Sequence, residues 1–131
     1  VKIALGASAL LAFLFGEPGH EMVAEVIEGS GLSTVNLAEV ISRFARDGHS
    51  PELVYRQIAA SGIEIVPFHG EDAALVAGLV PLTRESRLSL GDRACLALAL
   101  RHGIPAITAN QVWARLDLPI KIQVIRPTAR T

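Results

Sequence analysis

Residues 1–19 read VKIALGASALLAFLFGEPG, a short apolar strand that passes through Gly6, Ala7 and Ser8 into an apolar helix. A strand that turns directly into a helix is the repeating unit of α/β proteins, and its recurrence along a chain predicts parallel strands joined by helical crossovers. The run from Ile3 to Phe15 holds 13 uncharged residues. A membrane-spanning helix needs about 20, so the run is too short to cross a bilayer. Lys2 ahead of it resembles the charged start of a signal peptide, but Gly16-Glu17-Pro18-Gly19 follows where a small-x-small cleavage site would stand. The strand-then-helix reading is preferred, and no membrane partner is expected.

The same alternation continues to the C-terminus. Val1–Leu5 reads as a buried strand and Ser8–Phe15 as a helix closed by the Gly16–Gly19 turn. His20–Glu28 repeats apolar residues at Met22, Val23, Val26 and Ile27, a helical stripe. Leu32 and Ser33 form a very short strand ahead of a helix from Val35 to Arg46. Ser50-Pro51-Glu52 opens the next helix, with serine as N-cap and proline at the first helical position, and Ser61-Gly62 ends it. Ile63–Val66 is a β-branched strand and Glu71–Val80 a helix stopped at Pro81. In SLGDRACLALALRHG, residues 89–103, Ser89 and Asp92 are spaced as a capping box and Gly103 stands at the C-terminal end. IPAITA (104–109), a short helix from Gln111 to Leu116 and IKIQVI (120–125) follow, and PTART (127–131) reads as a loose tail. The expected architecture is a single domain over residues 1–131, three α/β/α layers around a mainly parallel sheet.

Composition narrows the class further. Half of the 131 residues are hydrophobic and mean hydropathy is +0.41, richer than an ordinary globular domain, which predicts a surface covered by another chain. Twelve basic residues stand against 13 acidic ones, a formal charge of −1, so no global basic signal marks a nucleic-acid binder. The single cysteine, Cys95, excludes an internal disulfide framework and is compatible with a reducing cytoplasm; in its apolar helix it reads as a small buried hydrophobe. No Walker A or G-x-G-x-x-G fingerprint follows a strand, which argues against a nucleotide-binding domain.

Ligands of open parallel sheets bind at the carboxyl ends of the strands. On the predicted map that edge holds Ser8 after the first strand, Ser33, Thr34, Asn36 and Glu39 after the second, Asp92 in the first turn of a late helix, and Thr108 and Asn110 after the fourth. Two acids and an amide at one edge suit Mg²⁺, a hard ion that takes oxygen ligands and keeps several waters. Such an ion activates water and stabilises charge on a phosphodiester in transit. Each residue also has a purely structural reading. Asp92 completes a capping box, Glu39 pairs with Arg43 one turn on, Asn110 caps a helix, and Ser8 and Thr108 serve turns or caps. His20, His49, His69 and His102 lack ligand spacing and read as surface residues, which argues against zinc.

The stretches IALGASALLAFLFGEPG, LSTVNLAEV, LSLGDRACLALA and PAITANQVWARL together resemble a PIN domain of the VapC type, the toxin of bacterial and archaeal toxin–antitoxin pairs. They span nearly the whole chain in the family's order and spacing. The resemblance implies a Mg²⁺- or Mn²⁺-dependent endoribonuclease, homodimeric and held inactive by a cognate VapB-type antitoxin. Carried over by position, it makes Glu39 and Asp92 metal-coordinating acids, puts Asn110 at the place of the last acid and makes Ser8 and Thr108 polar supports. It also places Gly6 where the family carries its first metal-binding aspartate. A glycine offers no side-chain oxygen, so metal affinity and activity are expected to be reduced or lost. The alternative is a non-catalytic PIN-fold protein retained for antitoxin or RNA binding. Arg43 and Arg46 on the helix of Glu39, and Arg84, Arg87 and Arg93 around Asp92, are candidate phosphate contacts. Leu11, Leu14, Phe15, Met22 and Val26 are candidate contributors to a dimer contact or a groove for an antitoxin helix.

Overall fold

The computed structural model describes residues 1–126; the predicted tail at 127–131 lies outside the described residues. Five short strands, β1 (Ala4–Leu5), β2 (Gly31–Ser33), β3 (Glu64–Val66), β4 (Ala106–Thr108) and β5 (Ile122–Val124), pair in the order β3-β2-β1-β4-β5. Every pairing is parallel, with Ala4 opposite both Gly31 and Ala106. The sheet is therefore wholly parallel among the described residues, where the sequence predicts a mainly parallel one.

Helices α1 (Ala7–Phe15), α2 (His20–Val26), α3 (Thr34–Arg46), α4 (Pro51–Ala59), α5 (Gly70–Gly78), α6 (Val80–Thr83) and α7 (Leu90–His102) carry the crossovers, and a 3₁₀ helix (Gln111–Arg115) joins β4 to β5. Their ends follow local chemistry. The Ser33 hydroxyl accepts from the Val35 N–H at 3.2 Å, and Ser50 with Pro51 opens α4. The capping box of α7 forms in both directions, Asp92 N–H to Ser89 Oγ and Ser89 N–H to an Asp92 carboxylate oxygen, each at 3.1 Å. Gly103 ends α7 in the left-handed conformation, φ 63°, its N–H turned back on the last turn.

Two apolar layers follow from strand alternation. Ile3, Leu5 and Ile107 face Leu10, Val23, Leu37 and Val40 of helices α1 to α3. Ala4 and Ala106 point the other way, onto Ala94, Leu98 and the buried Trp113. Small residues on that face let α7 lie close, and six consecutive residues, Ala94 to Ala99, are buried.

Topology then positions the site. From β1 the chain steps outward to β2 and β3, crosses back through α5 to α7, and enters β4 on the opposite side of β1. Connections leave β1 and β4 in opposite directions, which opens a crevice at their carboxyl ends. Gly6 and Ser8 stand on one side of it, Thr108 and Asn110 on the other.

Candidate metal-binding edge of the sheet

The first corner of the edge is built where α3 crosses the start of α7. Asn36 and Glu39 lie three residues apart on one face of α3. The Asn36 side-chain amide donates to Glu39 Oε1 at 2.9 Å and to the Gly91 carbonyl at 2.9 Å. The Glu39 carboxylate rests directly over Gly91, where a methyl group on the glycine would overlap it. Asp92 is the next residue, in the same first turn of α7, with its carboxylate turned back onto the Ser89 N–H. Both acids bear on the buried Cys95 thiol: burial first, then the charges of Asp92 and Glu39, push that thiol far above its ordinary range and keep it protonated.

The second corner joins β1 to β4. Ser8 Oγ lies 3.2 Å from Thr108 Oγ1 and accepts from the Ala109 N–H at 3.0 Å. Thr108 Oγ1 accepts from the Asn110 N–H at 3.0 Å, and Asn110 Oδ1 accepts from the Val112 N–H at 3.1 Å, capping the 3₁₀ helix. Gly6 is buried beside this chain, its N–H bonded to the Ile107 carbonyl at 2.9 Å. The structural readings of Asp92 and Asn110 as caps thus hold, and neither exhausts the residue's oxygens. The Glu39–Arg43 pair does not form: Arg43 turns to Asp47 at 3.8 Å and lies over the Phe15 ring, while Glu39 takes Asn36.

The candidate ligands at both corners, Glu39, Asp92 and Asn110, offer side-chain oxygens, which suits a hard divalent ion. Glu39 accepts through Oε1 and Asp92 through Oδ2, so each carboxylate carries a second oxygen to offer a ligand. Among the described residues no group of three or more His, Cys, Asp or Glu stands close enough to hold an ion. The donors therefore fit Mg²⁺ or Mn²⁺ in kind and fall short in number. Glu39 and Asp92 are the residues that would hold the ion.

The other predicted residues separate into groups. Arg93 is committed to the fold, donating to the Val76 carbonyl of α5 at 3.0 Å. Arg84 and Arg87 line a cleft of about 640 Å³ together with Arg115, Glu85 and Asp117, and Arg46 is exposed. His49, His69 and His102 are exposed and His20 is half-buried beside Glu21, as surface residues should be. Leu14 lines an apolar groove of about 320 Å³ with Leu10, Phe13, Phe44 and Val54, whereas Leu11, Met22 and Val26 pack against the core. Asn36, which the sequence places on this edge but not among the expected metal ligands, and Gly91, which it does not single out, hold Glu39. Asp72 is missed too: buried, it caps α5 through the His69 N–H and pairs with Arg101 of α7 at 3.3 Å. Among the described residues no helix is long and apolar enough to cross a membrane.

Comparison with known proteins agrees with this architecture. The toxin–antitoxin complex from Klebsiella pneumoniae contains a chain 21% identical, covering 93% of this chain and 100% of that one, at a TM-score of 0.67. DNA-bound VapBC from Salmonella typhimurium gives 17% identity, 96% and 99% coverage and a TM-score of 0.70. VapBC-5 from Mycobacterium tuberculosis gives 22% identity, 96% and 98% coverage and a TM-score of 0.56. At these identities the likeness is one of fold. No match was found among curated proteins. Residues 3–118 match the PIN domain, and the chain belongs to the PIN-domain family.

Proposed function

We propose that this chain is the toxin of a toxin–antitoxin pair, a VapC-type endoribonuclease dependent on Mg²⁺ or Mn²⁺, whose hydrolysis of RNA is reduced or abolished by glycine at position 6. The observation that carries this reading is the seating of the Glu39 carboxylate on Gly91, the residue before Asp92 in the first turn of α7, in a chain whose fold is that of the PIN domain. When bound, a divalent ion supplies charge neutralisation on the phosphodiester and a more acidic water. The chain's own residues provide the rest. Glu39 and Asp92 furnish the negative oxygens that hold the ion, Asn110 supplies a neutral oxygen across the crevice, and the Ser8–Thr108 pair fixes the loop that carries Asn110. Arg84, Arg87 and Arg115 offer charges to backbone phosphates, a sequence-independent contact that weakens with salt.

Named relatives of this fold are toxin–antitoxin complexes, which supports a protein partner here. The apolar groove between α1, α3 and α4, lined by Leu14 at 41% exposure and flanked by Phe15 stacked on Phe44, suits an amphipathic helix from an antitoxin. Leu82 and Leu90, at 65% and 55% exposure, are apolar surface that a second copy of the chain would cover in a homodimer.

A second reading, a non-catalytic PIN-fold protein retained for antitoxin or RNA binding, is favoured by the lack of any three-member acidic cluster among the described residues. One comparison decides between them. Gly6→Asp should gain Mg²⁺-dependent cleavage of single-stranded RNA, abolished by EDTA and by Glu39→Gln in the same background. An inactive Gly6→Asp protein that is folded overturns the nuclease reading and leaves the binding module.

A further inference from the structure

Asn36 is 1% exposed, and its amide nitrogen faces two acceptors, Glu39 Oε1 and the Gly91 carbonyl. That pairing dictates the orientation of the amide, because the flipped form would set its oxygen against both. Both N–H donors are thus used. The amide oxygen, by contrast, is buried with no hydrogen-bond partner. Burying an acceptor unpaired is unfavourable, and an apolar side chain would fill the same space without that penalty. The contribution of asparagine here lies in its two donors and not in packing.

Those donors do two things. One pins a single oxygen of Glu39, Oε1; the other ties α3 to the first turn of α7, one residue before Asp92. Gly91 completes the arrangement, since the carboxylate occupies the space that a β-carbon would take. We propose that Asn36 is a positioning residue that presents Glu39 to the divalent ion and sets its spacing from Asp92. This rests on the reading of Glu39 as a metal ligand. Asn36 does not itself touch the ion; it acts through the carboxylate, as hydrogen-bonding partners of metal ligands do.

Mn²⁺ affinity, followed by the electron paramagnetic resonance signal of free Mn²⁺, tests the proposal in the chain as it stands and in Gly6→Asp. Asn36→Leu should weaken Mn²⁺ binding roughly tenfold while its melting temperature stays at or above that of the parent, a split that a purely structural role would not produce. Glu39→Ala should weaken binding at least as much. If Asn36→Leu binds Mn²⁺ like the parent while Glu39→Ala does not, Asn36 does not position the ligand, and the metal reading stands without it. If Glu39→Ala binds like the parent, the ligand reading itself falls. A metal-free measurement holds even where Asn36→Leu fails to fold: the Asn36 side-chain amide proton resonances should shift in Glu39→Ala, and unchanged resonances overturn the clasp.

Discussion

The carboxylate of Glu39 occupies the space in which a side chain at Gly91 would begin, so an acid on α3 dictates a glycine in the first turn of α7. The consequence separates stability from function. In Gly91→Ala the overlapping group is the tip of a flexible side chain, which can swing outward, while alanine is worth about 0.5–1 kcal/mol more than glycine inside a helix. Gly91→Ala should therefore unfold at the same or a slightly higher urea concentration than the parent. Its Mn²⁺ affinity should fall, because Glu39 loses its seat. A fall in stability of more than about 2 kcal/mol would mean that Glu39 is held rigidly against the helix.

Position 6 behaves differently. Gly6 has φ −73° and ψ 153°, extended backbone open to any residue, and its nearest obstacle is the Ile107 carbonyl at 3.1 Å from an added β-carbon. Conformation does not demand glycine, but space is tight, and the Ile107 backbone must give by a few tenths of an ångström to admit a β-carbon. Gly6→Ala should shift stability by less than about 1 kcal/mol, and Gly6→Asp should cap α1, which lacks a side-chain cap. The distinguishing measurement is the melting temperature with and without Mn²⁺. A ligand at 100 times its dissociation constant adds about 2.7 kcal/mol by mass action, so millimolar Mn²⁺ should raise the midpoint of Gly6→Asp well beyond any rise in the parent. Equal rises would show that a carboxylate at position 6 does not reach the ion.

The second corner of the edge depends on Thr108, which is fully buried and whose hydroxyl serves both Ser8 and the Asn110 N–H. Thr108→Val keeps the shape and removes those bonds. Leaving a buried donor unpaired costs about 1–3 kcal/mol, so Thr108→Val should lower the urea midpoint accordingly, and hydrogen exchange at Asn110 should accelerate more than at Ala106. Ser8→Ala should cost less, since Ser8 is only half-buried. An unchanged exchange rate at Asn110 would remove Thr108 from the support of that loop.

How much of this was legible beforehand depends on the range of the interaction involved. Alternating strands and helices, the Ser89–Asp92 capping box and the glycine stop at 103 are local, and each forms where its residues predict. The helix α6 is absent from the predicted map because Pro81 reads as a stop, yet proline also fits a first turn, and there it opens a new short helix. β1 covers only Ala4–Leu5, although the predicted strand begins at Val1, because pairing and not hydrophobicity sets strand ends. Glu39 and Asp92 could be placed at one edge from topology alone. Asn36 falls on the same edge by that reading, but its bond to Gly91 and the Asp72–Arg101 pair could not be foreseen, since those partners lie on other helices and no local pattern announces a contact made only when α7 packs on α3 and α5.

Cys95 supplies a pH signature for the burial of α7 beneath the two acids. Its thiol is fully buried and raised well above the ordinary value, whereas in the unfolded chain it ionises near pH 8.5. Below that pH both states hold the proton and Cys95 adds no slope. Above it the unfolded state releases the proton and the folded state does not, so stability declines as pH rises toward the folded value, by up to about 1.4 kcal/mol per pH unit. Other groups titrate in the same window, and Cys95→Ala isolates the thiol by comparison. The urea midpoints of parent and Cys95→Ala, measured from pH 8 to 10, should converge, because the parent loses stability faster. A thiol reagent such as dithionitrobenzoate should leave the folded parent unmodified and react fully in denaturant. Parallel pH profiles, or rapid labelling of the native protein, would show that the first turns of α7 open readily and that the seat of Glu39 opens with them.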